Sequence, residues 1–301
     1  MTFLESILKM CSNFEEFENE IYRDLSWRKA EIQDFNTEIK YPSTDRLITE
    51  QVEKAVRKSL ILLIYSHWEG FIKRTAKQYL KYIVNKEIPS KRLTENFHVL
   101  VIKGHFFSAS DQIKQSQKNS LSMELFNRIV KDYAEKMENK FFLNIDMNKE
   151  RDSSIIDTNS NLSSSIYKNI FDCLGIKFYP CFELPPQKSF INSGNLNPNI
   201  LVQILDKTLI DSRNHIAHGN KNDPQTLIDL HKFDVLKDLI FLLMDNFVDT
   251  ILTFAEKEYF LQEKSIEAEQ HILDVDLNLS ASLNQKISSY ISQLESAECD
   301  V

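Results

Sequence analysis

The chain has 301 residues, 42% hydrophobic and 11% aromatic, enough for a buried core, and its 5 Gly and 7 Pro supply too few turns for an all-β or doubly wound architecture. A net charge of -8 excludes a molecule-wide electrostatic grip on nucleic acid, so any such site must be a local basic patch. The four cysteines show neither a CxxC pair nor zinc-ligand spacing, which argues against a disulfide framework or structural zinc and fits a reducing cytoplasm.

The opening residues, MTFLESILKMCSNFEEFENE, lack the basic start, apolar core and small-residue cleavage site of a secretory leader. No apolar run is longer than Leu60 to Tyr65, which is too short to span a bilayer. A soluble cytoplasmic protein with no membrane partner is expected. Within residues 1–42, Phe3, Leu4, Ile7, Leu8, Cys11, Phe14, Phe17, Ile21 and Leu25 recur at three- and four-residue steps, which predicts a helical N-terminal extension ending at Pro42. From Ser43 to Ile88 strong helix formers continue with Gly70 as the one interruption, and the centre is apolar nearly all round, as in the middle helix of a bundle.

The helical pattern weakens from Arg92 to Lys118 and returns as an amphipathic stretch at 121–137. Residues of about 140–196 shift to Ser, Asn, Asp and Pro, the composition of loops and caps. They predict a polar insertion holding a short helix around Ile166–Leu174, with IKFYPCFEL as a candidate extended stretch. Asn197-Pro198 opens a second strong helix, in which Ile200, Leu201, Ile204, Leu205, Leu209, Ile210 and Ile216 recur up to Gly219. The polar turn NKNDPQ separates it from a long helix, about Thr226 to Leu261, and so short a connection predicts an antiparallel hairpin. Residues 263–301 read as an acidic tail of one or two loosely packed helices. The whole is an all-α protein: a bundle over 43–262 carrying a polar insertion, with extra terminal helices.

The end of the penultimate long helix, LIDSRNHIAHG, gathers Arg213, Asn214, His215 and His218 just before Gly219. An ordinary helix ending explains part of this, because cations favour the negative end of the helix dipole and Gly suits a left-handed cap. Geometry adds a functional reading. Asn214 and His218 are four apart and share a face, and Arg213, adjacent to that face, is long enough to bend toward the same point at the mouth of a turn.

RNHIAHG, an Arg followed by a polar residue and, a few positions on, a His, resembles the signature of the HEPN superfamily (higher eukaryotes and prokaryotes nucleotide-binding). LLIYSHWEGFIKRTAKQYL, residues 62–80, is similar to the earlier bundle helix of its defence-associated branch. The resemblance covers residues 44–88 and 197–261. It implies a HEPN-like helical bundle with metal-independent endoribonuclease activity and no cofactor. His218 would move a proton, Arg213 would stabilise charge on a phosphorane, and Asn214 would orient His218 or bond a phosphate oxygen. It further implies a homodimer that joins two motifs across a two-fold axis, and a toxin or phage-defence setting with an antitoxin or regulatory partner. His215 lies in the variable part of the motif, so the resemblance carries no role over to it; it is a supporting residue that reads at least as well as a partly buried structural histidine.

Glu69, beside Trp68 in an apolar helix, faces either a polar partner such as Arg213 or solvent. Lys73, Lys77 and Lys81 form an i, i+4, i+8 stripe with Arg74 beside it, either the local RNA-binding patch or a plain solvated face. Two other readings stay open. One is a metal-dependent phosphoesterase with Asp211, His215 and His218 as ligands; the other is a non-catalytic module that binds RNA or protein.

Overall fold

The computed structural model describes residues 3–41, 50–103, 123–147, 156, 158, 161–177, 199, 201–219 and 230–299. Among these the regular structure is helical: α1 (Phe3–Lys40), α2 (Glu50–Asn85), α3 (95–103), α4 (Met123–Glu138), α5 (Ser164–Cys173), α6 (Asp211–Ala217), α7 (Leu230–Glu256) and α8 (Ser265–Cys299). The only strand-like pairings among the described residues are the isolated bridges Pro89 to Lys140 and Leu93 to Leu261. The fold is all-α.

At the centre lie α1, α2 and α7, each packed on the other two. The middle of α2 is buried nearly all round, as its unbroken apolar character predicts: Trp68, Phe71, Ile72, Ala76, Tyr79, Leu80 and Ile83 are all inaccessible to solvent. No helix among the described residues is long and apolar enough to cross a membrane.

Three expectations change. The first helix is not an appendage, because Phe17, Ile21, Leu25 and Ile32 enter the same core as α2 and α7. The C-terminal segment is one continuous helix, and Ala268, Ile272, Leu279, Leu283 and Ile287 seat it on α7 and neighbouring core residues. The polar insertion is anchored by its few apolar residues: Tyr167 lies 5.0 Å from Trp68, and Phe171 meets Phe247 edge-on at 5.1 Å. Most of IKFYPCFEL and the whole of the NKNDPQ turn fall outside the described residues.

Ahead of α6, Val202–Ile210 is wound as a π-helix. Its buried positions repeat every five residues, Gln203 with Thr208, Ile204 with Leu209, and Leu205 with Ile210. The Thr208 hydroxyl donates to the Gln203 carbonyl at 2.8 Å, and the Asp211 amide donates to the Asp206 carbonyl. Asn199 caps the start, its Oδ1 accepting from the Val202 amide at 3.2 Å. This wider winding lets two apolar pairs five apart, Ile204-Leu205 and Leu209-Ile210, face the same core.

Candidate active site

The π segment delivers α6 to the flank of α2. Its register is fixed from outside as well: Asp206 accepts from the Ser164 amide at 2.7 Å and from the Ser164 hydroxyl at 2.6 Å, at the first turn of α5. At the other end the His218 amide donates to the Asn214 carbonyl at 2.9 Å, the Gly219 amide to the Ile216 carbonyl at 3.1 Å, and the helix stops. Gly219 has φ +71 and open space where a Cβ would stand. Backbone conformation rather than crowding therefore calls for glycine here.

Arg213 is held on three sides. Its Nη1 donates to Asn214 Oδ1 at 2.8 Å and to Asn161 Oδ1 at 3.2 Å, and its guanidinium carbon lies 5.0 Å from the Tyr65 ring centroid. The bond to Asn214 draws the guanidinium toward the face that Asn214 shares with His218. Half burial over an aromatic ring strengthens each of these contacts relative to open water.

Tyr65 is itself fixed by a hydrogen bond. Its hydroxyl accepts from the Leu162 amide at 3.0 Å, and the Glu69 carboxylate stands near it one turn on. Burial, reinforced by the charge of Glu69 and opposed by Leu162 and Arg213, pushes the phenol up to about 12, so it stays a neutral donor near pH 7. Glu69 thus has a polar partner, though that partner is the hydroxyl beneath Arg213.

His215 turns back along its own helix, its Nδ1–H donating to the Asp211 carbonyl at 2.7 Å. His218 is exposed at the helix end. Among the described residues no three His, Cys, Asp or Glu side chains come together as a ligand set, and Asp211, His215 and His218 do not converge.

The lysine stripe is not an open face. Lys77 is only 4% exposed and reaches the Asp146 carbonyl at 3.4 Å, because the chain around Asp146 covers that turn of α2. Lys73 is half-buried, while Arg74 and Lys81 are exposed. Reasoning on the sequence missed Tyr65 and Asn161. Tyr65 stands four residues before Glu69, a spacing that could have flagged it; Asn161, in a polar run far along the chain, carried no such signal.

A family model described as MAE_28990-like HEPN matches residues 17–260. The chain belongs to the HEPN superfamily. The match takes in α1 from Phe17 onward and the polar insertion, both of which lie outside the stretches that carry the motif resemblance. HEPN membership points to a nuclease-like or RNA-related role. No curated protein and no solved structure matches this chain.

Proposed function

We propose that this HEPN protein is a metal-independent endoribonuclease. The observation that carries the reading is the Arg213 guanidinium, fixed by Asn161, Asn214 and Tyr65 beside a helix end that exposes His218. Both hydrogens of Nη1 are used in holding the group, which leaves the Nε and Nη2 edge for phosphate oxygens.

The 2′-hydroxyl attacks the adjacent phosphorus, a P–O bond forms as the bond to the 5′-oxygen breaks, and the products are a 2′,3′-cyclic phosphate and a 5′-hydroxyl. One proton leaves the 2′-oxygen and another reaches the 5′-oxygen. His218, exposed at the helix end, can serve one of these transfers as a general acid or base, and Arg213 offsets charge on the phosphorane. Asn214 acts by orienting Arg213. The second proton group would come from a second copy of the chain across a two-fold axis, and no cofactor is required. Such an activity suits a toxin or anti-phage effector restrained by an antitoxin or regulatory partner.

The test is purified protein with bulk tRNA and total RNA in excess EDTA. Cleavage leaving cyclic-phosphate ends is expected. Activity that vanishes in EDTA and returns with one divalent metal would replace this reading with a metal-dependent phosphoesterase, and no cleavage under any salt, pH or partner condition would favour a binding module.

A further inference from the structure

The two tryptophans of the chain have opposite environments: Trp68 is 0% exposed, whereas Trp27 on α1 is 48% exposed. Trp27 is nevertheless held firmly. Its Nε1–H donates to Asp24 at 3.0 Å, the Arg28 guanidinium lies 4.9 Å from its ring centroid, and His67 meets it edge-on at 5.2 Å. Asp24 is buried, accepts from Arg28 Nε at 3.1 Å, and has Arg74 Nε at 3.9 Å. Gly70 makes room for this packing, since a Cβ there would come within 3.0 Å of Arg28 Nη1.

Guanidinium groups stand close to the indole on an otherwise acidic chain. Arg23 is exposed one turn earlier on the same face of α1, and Arg74 is exposed on α2. Glu20 and Glu31 bound the patch and are engaged, Glu20 by Gln78 at 3.3 Å and Glu31 by His67 at 2.9 Å. Exposed guanidinium groups on either side of the ring could meet the phosphates that flank a stacked base.

We infer that Trp27 is a stacking platform for a nucleobase of single-stranded RNA, with Arg23 and Arg74 receiving the neighbouring phosphates. The inference rests on the RNA reading above and extends it to a second contact point. A pre-fixed indole offers its open face without the entropy loss of ordering a mobile ring, and any base can stack on it. The path between the two points is short. On α2, Tyr65 and Glu69 mark the border facing Arg213, while His67 and Arg74 mark the border facing Trp27. Between these borders run Leu62, Ser66, Gly70 and Lys73, all exposed or half-buried, so a strand crossing one helix width, about 10 Å, joins base platform to cleavage point.

Tryptophan emission tests this directly, because Trp68 is sealed and any quenching by a bound strand reports Trp27. The probes are a fully 2′-O-methylated, uncleavable oligonucleotide and its abasic counterpart. The base-bearing strand should quench the exposed tryptophan and the abasic strand should not. Trp27→Leu should weaken binding about 5- to 150-fold, and Arg74→Ala should flatten the salt dependence. Equal quenching by both strands, or full affinity in Trp27→Leu with an unchanged melt, would overturn the platform. A Trp27→Leu variant that keeps affinity but changes oligomeric state would assign the face to protein contact instead. RNA cleavage without quenching sinks only this inference; quenching without cleavage sinks only the nuclease reading.

Discussion

Arg213 and His218 sit at a solvent-facing helix end, outside the apolar core, so their removal should disable chemistry without unfolding the chain. Arg213→Ala and His218→Ala are each expected to lower cleavage about 10²- to 10⁴-fold with near-unchanged thermal melts. Near wild-type cleavage in either variant would remove the motif from the catalytic centre. Tyr65→Phe is the more discriminating change, because it keeps the ring under Arg213 while stranding the Leu162 amide. We expect a loss of about 1–3 kcal/mol in stability and a smaller fall in cleavage than Arg213→Ala gives. The motif was legible because its members share one short helix, where spacing fixes geometry. Asn161 was not, because a distant amide in a polar run leaves no periodicity to read; Tyr65 stood one turn before Glu69, but helix spacing alone does not tie its ring to Arg213.

Helix periodicity located α1, α2, α4, α5 and α7 well, because one apolar stripe each is enough to declare them. It could not tell which stripe meets which neighbour. That is why α1 read as an extension although Ile21 and Ile32 are sealed in the core, and why Lys77 read as surface although the chain at Asp146 covers it. Ile21→Ala should cost about 2–5 kcal/mol by urea denaturation, where a true appendage would tolerate it. The α1–α7 joint also carries a pH signature. Burial raises the Asp234 carboxyl, but hydrogen bonds from Lys40 and Asn36 and the charges of Lys40 and Lys237 outweigh it, leaving the group below its ordinary value. A carboxylate depressed on folding stabilises the native state fully above its unfolded pKa and loses that contribution as pH falls through the folded value. Acid melts of Asp234→Asn should therefore show a shallower decline below about pH 4 than the parent; an identical decline would mean the joint contributes nothing.

For the whole molecule, the central expectation is assembly. The motif of one chain presents one exposed imidazole, His218, for one proton transfer, and the reaction needs two, so the active species is expected to be a homodimer with Arg213 and His218 of both copies in one cleft. Light scattering gives the stoichiometry. Mixing His218→Ala with parent chains gives the sharing, since mixed dimers should lose most of their activity rather than half. A fully active monodisperse monomer would refute it.

The five-residue repeat of Val202–Ile210 has a consequence for how this chain tolerates change in length. A deletion inside an ordinary helix throws every later side chain out of phase with its neighbours. Here the wide winding holds slack, and losing one residue, Lys207 for instance, lets the segment tighten to α-helical pitch with its backbone bonds intact. Asp211 to His218 would then keep their facing against α2, and the Arg213 guanidinium would stay on the Tyr65 ring. The segment works as a length buffer: the predicted deletion variant stays folded by circular dichroism and keeps its cleavage, whereas removing one residue from the middle of α7 should abolish both.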